Sequence, residues 1–282
     1  MSGTLYLCAT PIGNLGDITQ RVLDTLREAD LIAAEDTRNS LHLLNHFEIR
    51  TPMTSYHEYN KYDKAETLID KLREGQNIAL ITDAGTPGIS DPGEVLVRRC
   101  LEEHIPVTSL PGPAACITAL TLSGLPTRRF CFEAFLPADK KERRQILEEL
   151  KRETRTIILY EAPHHLVKTL KDLREALGDR RITLCRELTK RFETILPTTL
   201  DEALKMYENE DPRGEYVLVA AGADREVLEA EQRQQYEELS IPEHVAQYEA
   251  EGMDHKAALK QVALDRGIPK REVYDAVHKN IS

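Results

Sequence analysis

The 282-residue sequence predicts an α/β protein with two domains and a small helical extension. Three observations lead to this prediction. Up to residue 124, short apolar or β-branched runs alternate with amphipathic helical stretches, which is the pattern of parallel βαβ units. From residue 125 to residue 222 the runs change in spacing and predict a second, mixed sheet. From residue 223 a charged, helix-like extension follows.

The first predicted domain, residues 1–124, has a mostly parallel sheet. Its helical stretches carry apolar residues near i, i+3, i+4 and i+7, and Asp17 followed by Gln20 predicts a capping box at the start of the first helix. The predicted strands are TLYLCAT, DLIAAED, TPMTSYH, NIALITD and PVTSLPG, and the helices are DITQRVLDTLREA, RNSLHLLNHF, DKAETLIDKLREG and EVLVRRCLEEH.

The second predicted domain, residues 125–222, and the extension, residues 223–282, follow. The second domain has strands RFCFEAFLP, TIILYEAP, RITLCREL, FETILP and GEYVLVAAG, and helices DKKERRQILEELKRE, HHLVKTLKDLREAL and LDEALKMYE. Residues 223–253 carry nine acids and two arginines, which predicts a solvated helical connector. In the remaining piece, Ala263, Gly267 and Val273 fit either a helix-turn-helix that binds nucleic acid or an ordinary helical pair.

Composition limits the classes of function. With 41% hydrophobic and 30% charged residues the chain is globular, and its net charge of −11 gives no sign of a nucleic-acid partner. Five scattered cysteines without a CxxC pair predict buried, reduced thiols in a cytoplasmic protein and no metal site. The N-terminus reads as a first strand rather than a signal peptide, and no apolar run is long enough for a membrane span.

Three loops rich in small residues follow predicted strands. The longest comes after NIALITD and contains Gly85, Pro87 and Gly88, with Asp83 at its entrance. TPIGNLGD and SLPGPAA follow two other strands. Each short loop alone could equally be an ordinary connection. Because ligands of parallel sheets bind beyond the carboxyl ends of the strands, the three loops together predict one pocket for a polar small molecule.

Acidic residues stand at two further strand ends. Glu35 and Asp36 follow the second strand in AAEDTR, and Tyr160 and Glu161 end a strand of the second domain in YEAPHH. These acids are either a solvated charge cluster or a base that acts on a substrate. The two histidines of YEAPHH lack a third ligand at metal spacing, so a zinc site is not predicted.

The motifs TPIGNLGDIT, AAEDTR, TDAGTPGISDPG, LPGPAA and FLP, in this order, resemble those of the tetrapyrrole (precorrin) methylase superfamily. Within it the chain is most similar to the bacterial branch that methylates the ribose 2′-oxygen of a cytidine in 16S ribosomal RNA. The resemblance spans residues 5–222. It implies two α/β domains that bind S-adenosylmethionine, no metal, a homodimer, and 16S rRNA as partner, free or in the assembled small subunit.

The resemblance also implies roles for individual residues. Donor-binding positions are Leu15, Asp83, Ala84, Thr86, Pro87, Ala114, Ala115, Tyr160 and Leu188. Substrate-binding positions are Asn14, Thr37, Arg38 and Ser90. The candidate bases are Glu35, Asp36 and Glu161. Because such acids repel RNA phosphates, basic segments are needed to offset them. DKKERRQ (139–145) is either an RNA contact or an exposed helix face, and further candidate contacts are Arg180, Arg181, Arg186, Lys190 and Arg191. Two other functions stay open: a small-molecule methylase of the tetrapyrrole type, and a non-catalytic RNA-binding assembly factor.

Overall fold

A computed structural model describes residues 2–228, 230, 236 and 239–278. Two five-stranded sheets lie in one compact unit, formed by the chain up to Leu150 and by Arg155–Ala221. A second unit consists of Lys151–Thr154 and the chain from Gly222 onward. The predicted α/β class, with a parallel first sheet and a mixed second sheet, is confirmed.

The first sheet is parallel throughout, in the order β3-β2-β4-β1-β5. Its strands are β1 Leu5–Cys8, β2 Leu31–Ala34, β3 Met53–Ser55, β4 Ile78–Ile81 and β5 Val107–Leu110. The helices that follow them are α1 Gln20–Glu28, α2 Thr37–His46, α3 Lys61–Arg73, α4 Glu94–Glu102 and α5 Ala115–Leu122. Alternate residues of the buried strands enter separate apolar cores on the two faces of the sheet. Because all five strands are parallel, every strand–helix loop is at the same, carboxyl edge.

The second sheet has the order β6-β7-β10-β8-β9, with only β6 and β7 parallel. Its strands are β6 Phe130–Ala134, β7 Thr156–Glu161, β8 Arg181–Arg186, β9 Thr194–Thr199 and β10 Tyr216–Ala220. Its helices are α6 Lys140–Lys151, α7 Pro163–Leu177 and α8 Leu200–Met206.

Helix α5 connects the two sheets. It follows β5 of the first sheet, yet Cys116, Ala119 and Leu120 pack with Ile158 and Val217 of the second. This placement carries the β5–α5 loop onto the face of the second sheet. The carboxyl edge of the first sheet therefore meets one face of the second.

The predicted capping box at Asp17 is wrong. Asp17 ends a short 3-10 turn, Leu15–Asp17, which Asn14 caps by accepting the backbone NH of Gly16 at 3.0 Å. Helix α1 is capped instead by Thr19, whose Oγ1 accepts the backbone NH of Val22 at 3.2 Å. A hydroxyl two residues later takes the place of the carboxylate because the 3-10 turn delays the start of the helix.

The second unit contains helices α9 Ile241–Ala250, α10 His255–Arg266 and α11 Lys270–His278 around their own apolar cluster. Gly267, with φ 63°, caps α10, and Ala263 and Val273 are buried. The predicted acidic connector falls partly on residues 229, 231–235 and 237–238, which lie outside the described residues.

Candidate active site

A cleft of about 330 Å³ opens where the carboxyl edge of the first sheet meets the second sheet. Loops from β1, β2, β4 and β5 form one side, and residues of β6, β7, β8 and β10 with their loops form the other. A volume of this size suits a small organic ligand.

Small residues from the β4–α4 and β5–α5 loops line one wall: Ala84, Gly85, Thr86, Ala114 and Ala115. Gly85 has φ 86°, which favours glycine, and its backbone exchanges two hydrogen bonds with Thr10 at 2.9 and 3.1 Å. Thr86 Oγ1 donates to the carbonyl of Pro113 at 2.9 Å. The two loops are thus fixed to each other and to the end of β1. The wall that they form is rigid and carries only small side chains.

Aromatic and aliphatic side chains form the opposite wall. Tyr160 contacts the rings of Phe132 and Phe135 at centroid distances of 4.9 and 5.7 Å. The backbone NH of Cys116 donates a hydrogen bond to Tyr160 Oη at 3.2 Å, and burial raises the pKa of this phenol, so Tyr160 stays neutral. Leu188 lines the same wall and is buried.

Three carboxylic acids enter the cleft from neighbouring loops: Glu35, Asp83 and Asp91. Burial, followed by the charges of Glu35 and Asp83, raises the pKa of Asp91 to about 7. Burial also raises the pKa of Glu35, and the charge of Asp83 adds to this effect. Asp83 accepts the backbone NH of Asp36 at 3.2 Å and the side-chain amide of Asn39 at 3.0 Å. Asp83 is thus held in place, whereas Glu35 and Asp91 are weaker acids than usual.

Asp36 points away from this group. Its Oδ1 accepts the backbone NH of Arg38 and its carboxylate takes the Arg38 guanidinium in two contacts of 3.1 and 2.7 Å. These bonds to Arg38 lower the pKa of Asp36 to about 2. Asp36 therefore caps α2 as a firmly ionised carboxylate and is outside the cleft lining.

Glu161 lines the cleft, but its carboxylate is buried and each of its oxygens accepts a hydrogen bond. It accepts the backbone NH of Ala162 at 2.8 Å and the hydroxyl of Thr169. Thr169 in turn accepts Arg143 Nη2 at 2.8 Å, and Arg143 pairs with Asp172 at 2.7 Å. Arg143 of the candidate RNA-contact segment DKKERRQ is therefore buried at the start of α6, whereas Lys140, Lys141 and Arg144 of the same segment are exposed.

The remaining predicted residues divide between the cleft and its surroundings. Ser90 lines the cleft with φ 66°. Leu15 is 42% exposed on the β1 loop beside Asn14, and Thr37 is the first residue of α2. Pro87 faces a separate shallow groove along α4. The cleft lining does not include Asn14, Leu15, Thr37, Arg38 or Pro87.

Several cleft residues were not predicted. Asp91 is the second aspartate of the loop that predicted the site, so its position was a usable signal. For Lys190, no feature of the sequence indicated a position in the cleft. It pairs with Glu187 at 2.9 Å and Glu215 at 2.7 Å, and all three line the cleft.

Within the described part of the chain, no three His, Cys, Asp or Glu residues form a group that could hold a metal ion. In the same residues, no helix is both long and apolar enough to cross a bilayer.

Comparison with known proteins adds four findings. Residues 4–204 match the family model for tetrapyrrole (corrin/porphyrin) methylases. A relative from Halalkalibacterium halodurans named ribosomal RNA small subunit methyltransferase I is 51% identical over 98% of this chain and 95% of its own. A protein of the same name from Synechocystis is 48% identical over 96% of each chain. A crystal structure of the methyltransferase CobJ superposes with a TM-score of 0.59 at 21% identity, covering 79% of this chain and 95% of that one.

Proposed function

The chain belongs to the tetrapyrrole methylase family, and from this premise we propose that it transfers a methyl group from S-adenosylmethionine to ribosomal RNA of the small subunit. The observation that carries the proposal is 51% identity, over nearly the whole of both chains, to a relative named for that activity. The similarity to CobJ supports the fold alone, so it does not favour a tetrapyrrole substrate.

The residues of the cleft fit the methyl donor. S-adenosylmethionine carries its methyl group on a positively charged sulfur, which makes the methyl carbon electrophilic without a metal. The alanine and glycine wall leaves room for a flat, polar nucleoside, and Tyr160 and Leu188 supply an apolar surface opposite it. We assign Asp83, Ala84, Thr86, Ala114 and Ala115 to donor binding with these two residues. Leu15 and Pro87 act by shaping the loops rather than by lining the cleft.

We further propose that the acceptor is the ribose 2′-hydroxyl of a cytidine and that Glu35 is the base that accepts its proton. Glu35 lines the cleft, and its raised pKa brings it nearer to the range in which a carboxylate removes a proton well. Asp36 is less suited because two bonds to Arg38 hold it ionised. Glu161 is less suited because backbone and hydroxyl donors already occupy its oxygens.

Alignment of the acceptor oxygen with the methyl carbon is the chain's main task, since positioning alone supplies several kcal/mol of barrier reduction in such reactions, on the order of 7. We place Asn14, Thr37, Arg38 and Ser90 on the substrate side of the cleft. The partner is 16S rRNA, in the assembled small subunit, the protein is a homodimer, and it acts in the cytoplasm.

The test is methyl transfer from isotopically labelled S-adenosylmethionine to small subunits from cells that lack this protein. We expect a labelled 2′-O-methylcytidine in the nuclease digest, and donor binding by the free protein that a chelator does not diminish. Naked 16S rRNA and a tetrapyrrole precursor serve as competing acceptors. Label in the tetrapyrrole alone would overturn the proposal, and the absence of label in any acceptor would support a non-catalytic RNA-binding role.

A further inference from the structure

The segment after β3, which forms a loop and then begins α3, exposes two tyrosines near the strand end that carries Glu35. Tyr59 is 98% exposed and Tyr62 is 65% exposed. A tyrosine ring presented almost entirely to solvent contributes nothing to the core, because its apolar faces remain hydrated. Exposed aromatic rings next to a site for a macromolecular substrate are instead typical contact points for that substrate.

Backbone contacts fix the position of this loop relative to the candidate base. Strand β3 pairs with β2, and the backbone NH of Tyr56 donates to the carbonyl of Ala34 at 2.7 Å. Ala34 immediately precedes Glu35. The chain thus leaves β3 next to the point where Glu35 enters the cleft, and Tyr59 follows three residues later.

The loop is also held in shape. The backbone NH of His57 donates to Asn60 Oδ1 at 2.8 Å, and the backbone NH of Asn60 donates to the carbonyl of His57 at 3.0 Å. The His57 ring meets the Tyr59 ring edge-on at 6.1 Å. A turn closed from both sides presents the Tyr59 ring with little loss of conformational entropy when a ligand binds.

The charges nearby favour binding of a nucleobase of the RNA over binding of a phosphate. Arg38 and Lys61, in the first turns of α2 and α3, already pair with Asp36 and Glu58. Glu35 adds a further carboxyl group at the same edge. A phosphate at this rim would meet more carboxylates than unpaired cations. The face of a nucleobase, by contrast, can stack on tyrosine without a counter-charge.

We propose that Tyr59 is a stacking platform for an unpaired RNA base that flanks the methylated nucleotide. This inference rests on the proposed function, because it takes RNA as the substrate. Tyr59 holds the neighbouring base at the rim of the acidic side, so that the target ribose reaches Glu35. Phosphate contacts come from other parts of the surface.

The experiment compares full-length wild-type protein with Tyr59→Phe, Tyr59→Leu and Tyr59→Ala. The probes are small subunits from cells lacking the protein and S-adenosylmethionine, and the readouts are the KM for subunits, its dependence on salt, and donor affinity. Leu101→Ala is the matched control, since Leu101 is 62% exposed on α4. Its position at the end of α4 puts it away from the carboxyl edge.

We expect the leucine and alanine variants to raise the KM for subunits roughly 5- to 150-fold, as expected for loss of one stacked base. The phenylalanine variant retains wild-type KM, because the ring remains. Donor affinity is unchanged in all of them, and the salt slope is unchanged because no counterion-releasing contact is lost.

Three results would overturn the inference. One is a wild-type KM for Tyr59→Leu. Another is a reduced salt slope, which would make the residue part of a phosphate contact. The third is a sedimentation coefficient that differs between the Tyr59 variants and the wild-type protein, which would show that a second copy of the chain covers Tyr59. Failure of the proposed function is distinct from these, because wild-type protein itself would then leave the subunits unmethylated.

Discussion

The backbone NH of Cys116, at the start of α5, donates to the phenol oxygen of Tyr160 on β7 at 3.2 Å. This bond joins the loop that follows β5 of the first sheet to a strand of the second, across the wall of the cleft. Tyr160 thus lines the cleft and also holds the start of α5 in place through this hydrogen bond.

Tyr160→Phe tests this relationship. The variant keeps the ring and its contacts with Phe132 and Phe135 but leaves the Cys116 NH without its acceptor. We expect a loss of about 1 kcal/mol in the free energy of unfolding, measured by urea denaturation. We also expect weaker donor binding by calorimetry. Unchanged values of both would show that water replaces the phenol oxygen at no cost.

Glu35→Gln should abolish the base without emptying the cleft. We expect single-turnover methyl transfer to fall about 10²- to 10⁴-fold, with donor affinity retained, because a base acts on the chemical step. Asp36→Asn is the matched comparison, since it neutralises the adjacent acid, and its loss should be much smaller. If Asp36→Asn is the more damaging substitution, the roles of the two acids are reversed.

Asp91→Asn should change how stability depends on pH. The folded-state pKa of about 7 lies above the ordinary value of 3.8, so folding favours the protonated acid. The stabilisation is complete below the unfolded pKa and is lost as pH rises through about 7. We therefore expect the variant to melt above wild type near pH 8 and to lose this advantage near pH 4. A difference in melting temperature that is independent of pH would contradict the raised pKa.

Ala114→Leu should fill part of the cleft. We expect donor affinity to fall roughly tenfold or more, because the added side chain projects from a wall that hydrogen bonds hold in place. Isothermal titration calorimetry measures the effect. Ala250→Leu, at an exposed position of α9, is the control and should bind the donor as wild type does. Equal affinities for both variants would remove Ala114 from the donor site.

His244 predicts a pH response of the three-helix cluster formed by α9, α10 and α11. Burial, with the charge of Arg266, lowers its pKa below 6.5, although Asp265 opposes the shift. The folded cluster therefore favours neutral His244, and its stability is lost as pH falls below about 6.5 toward the folded pKa. The protection factors of α9–α11 amides, in which the measured exchange rate is corrected for the pH dependence of the intrinsic rate, should fall as pH is lowered from about 7.5 to about 5. His255→Gln, which replaces an exposed histidine, should keep that pH response. Loss of the response in this variant would show that His255, and not His244, causes it.

The strands and the loops at their ends could be predicted because both signals are local. Hydrophobic periodicity marks the elements, and glycine and proline mark where they stop. The sequence did not show which of the two adjacent acids, Glu35 or Asp36, enters the cleft. Consecutive side chains at a strand end point in opposite directions, so one acid enters the cleft and its neighbour turns back onto Arg38.

The composition of the opposite wall depends on tertiary structure. Tyr160 and Leu188 face Ala114 only because α5 leaves the first sheet and packs on the second. No spacing in the sequence marks this crossing, and the positions were reached through family resemblance. Lys190 is in the cleft for the same reason.

The position of β1 in the first sheet has a consequence for synthesis on the ribosome. Leu5 pairs with Ile78 on one side and with Val107 on the other. The first strand to be translated is therefore an interior strand whose two neighbours are made much later. At about 5–20 residues per second, β1 remains without its native neighbours for roughly 5–20 s. Until β4 and β5 are made, the apolar side chains of β1 are a segment to which chaperones can bind.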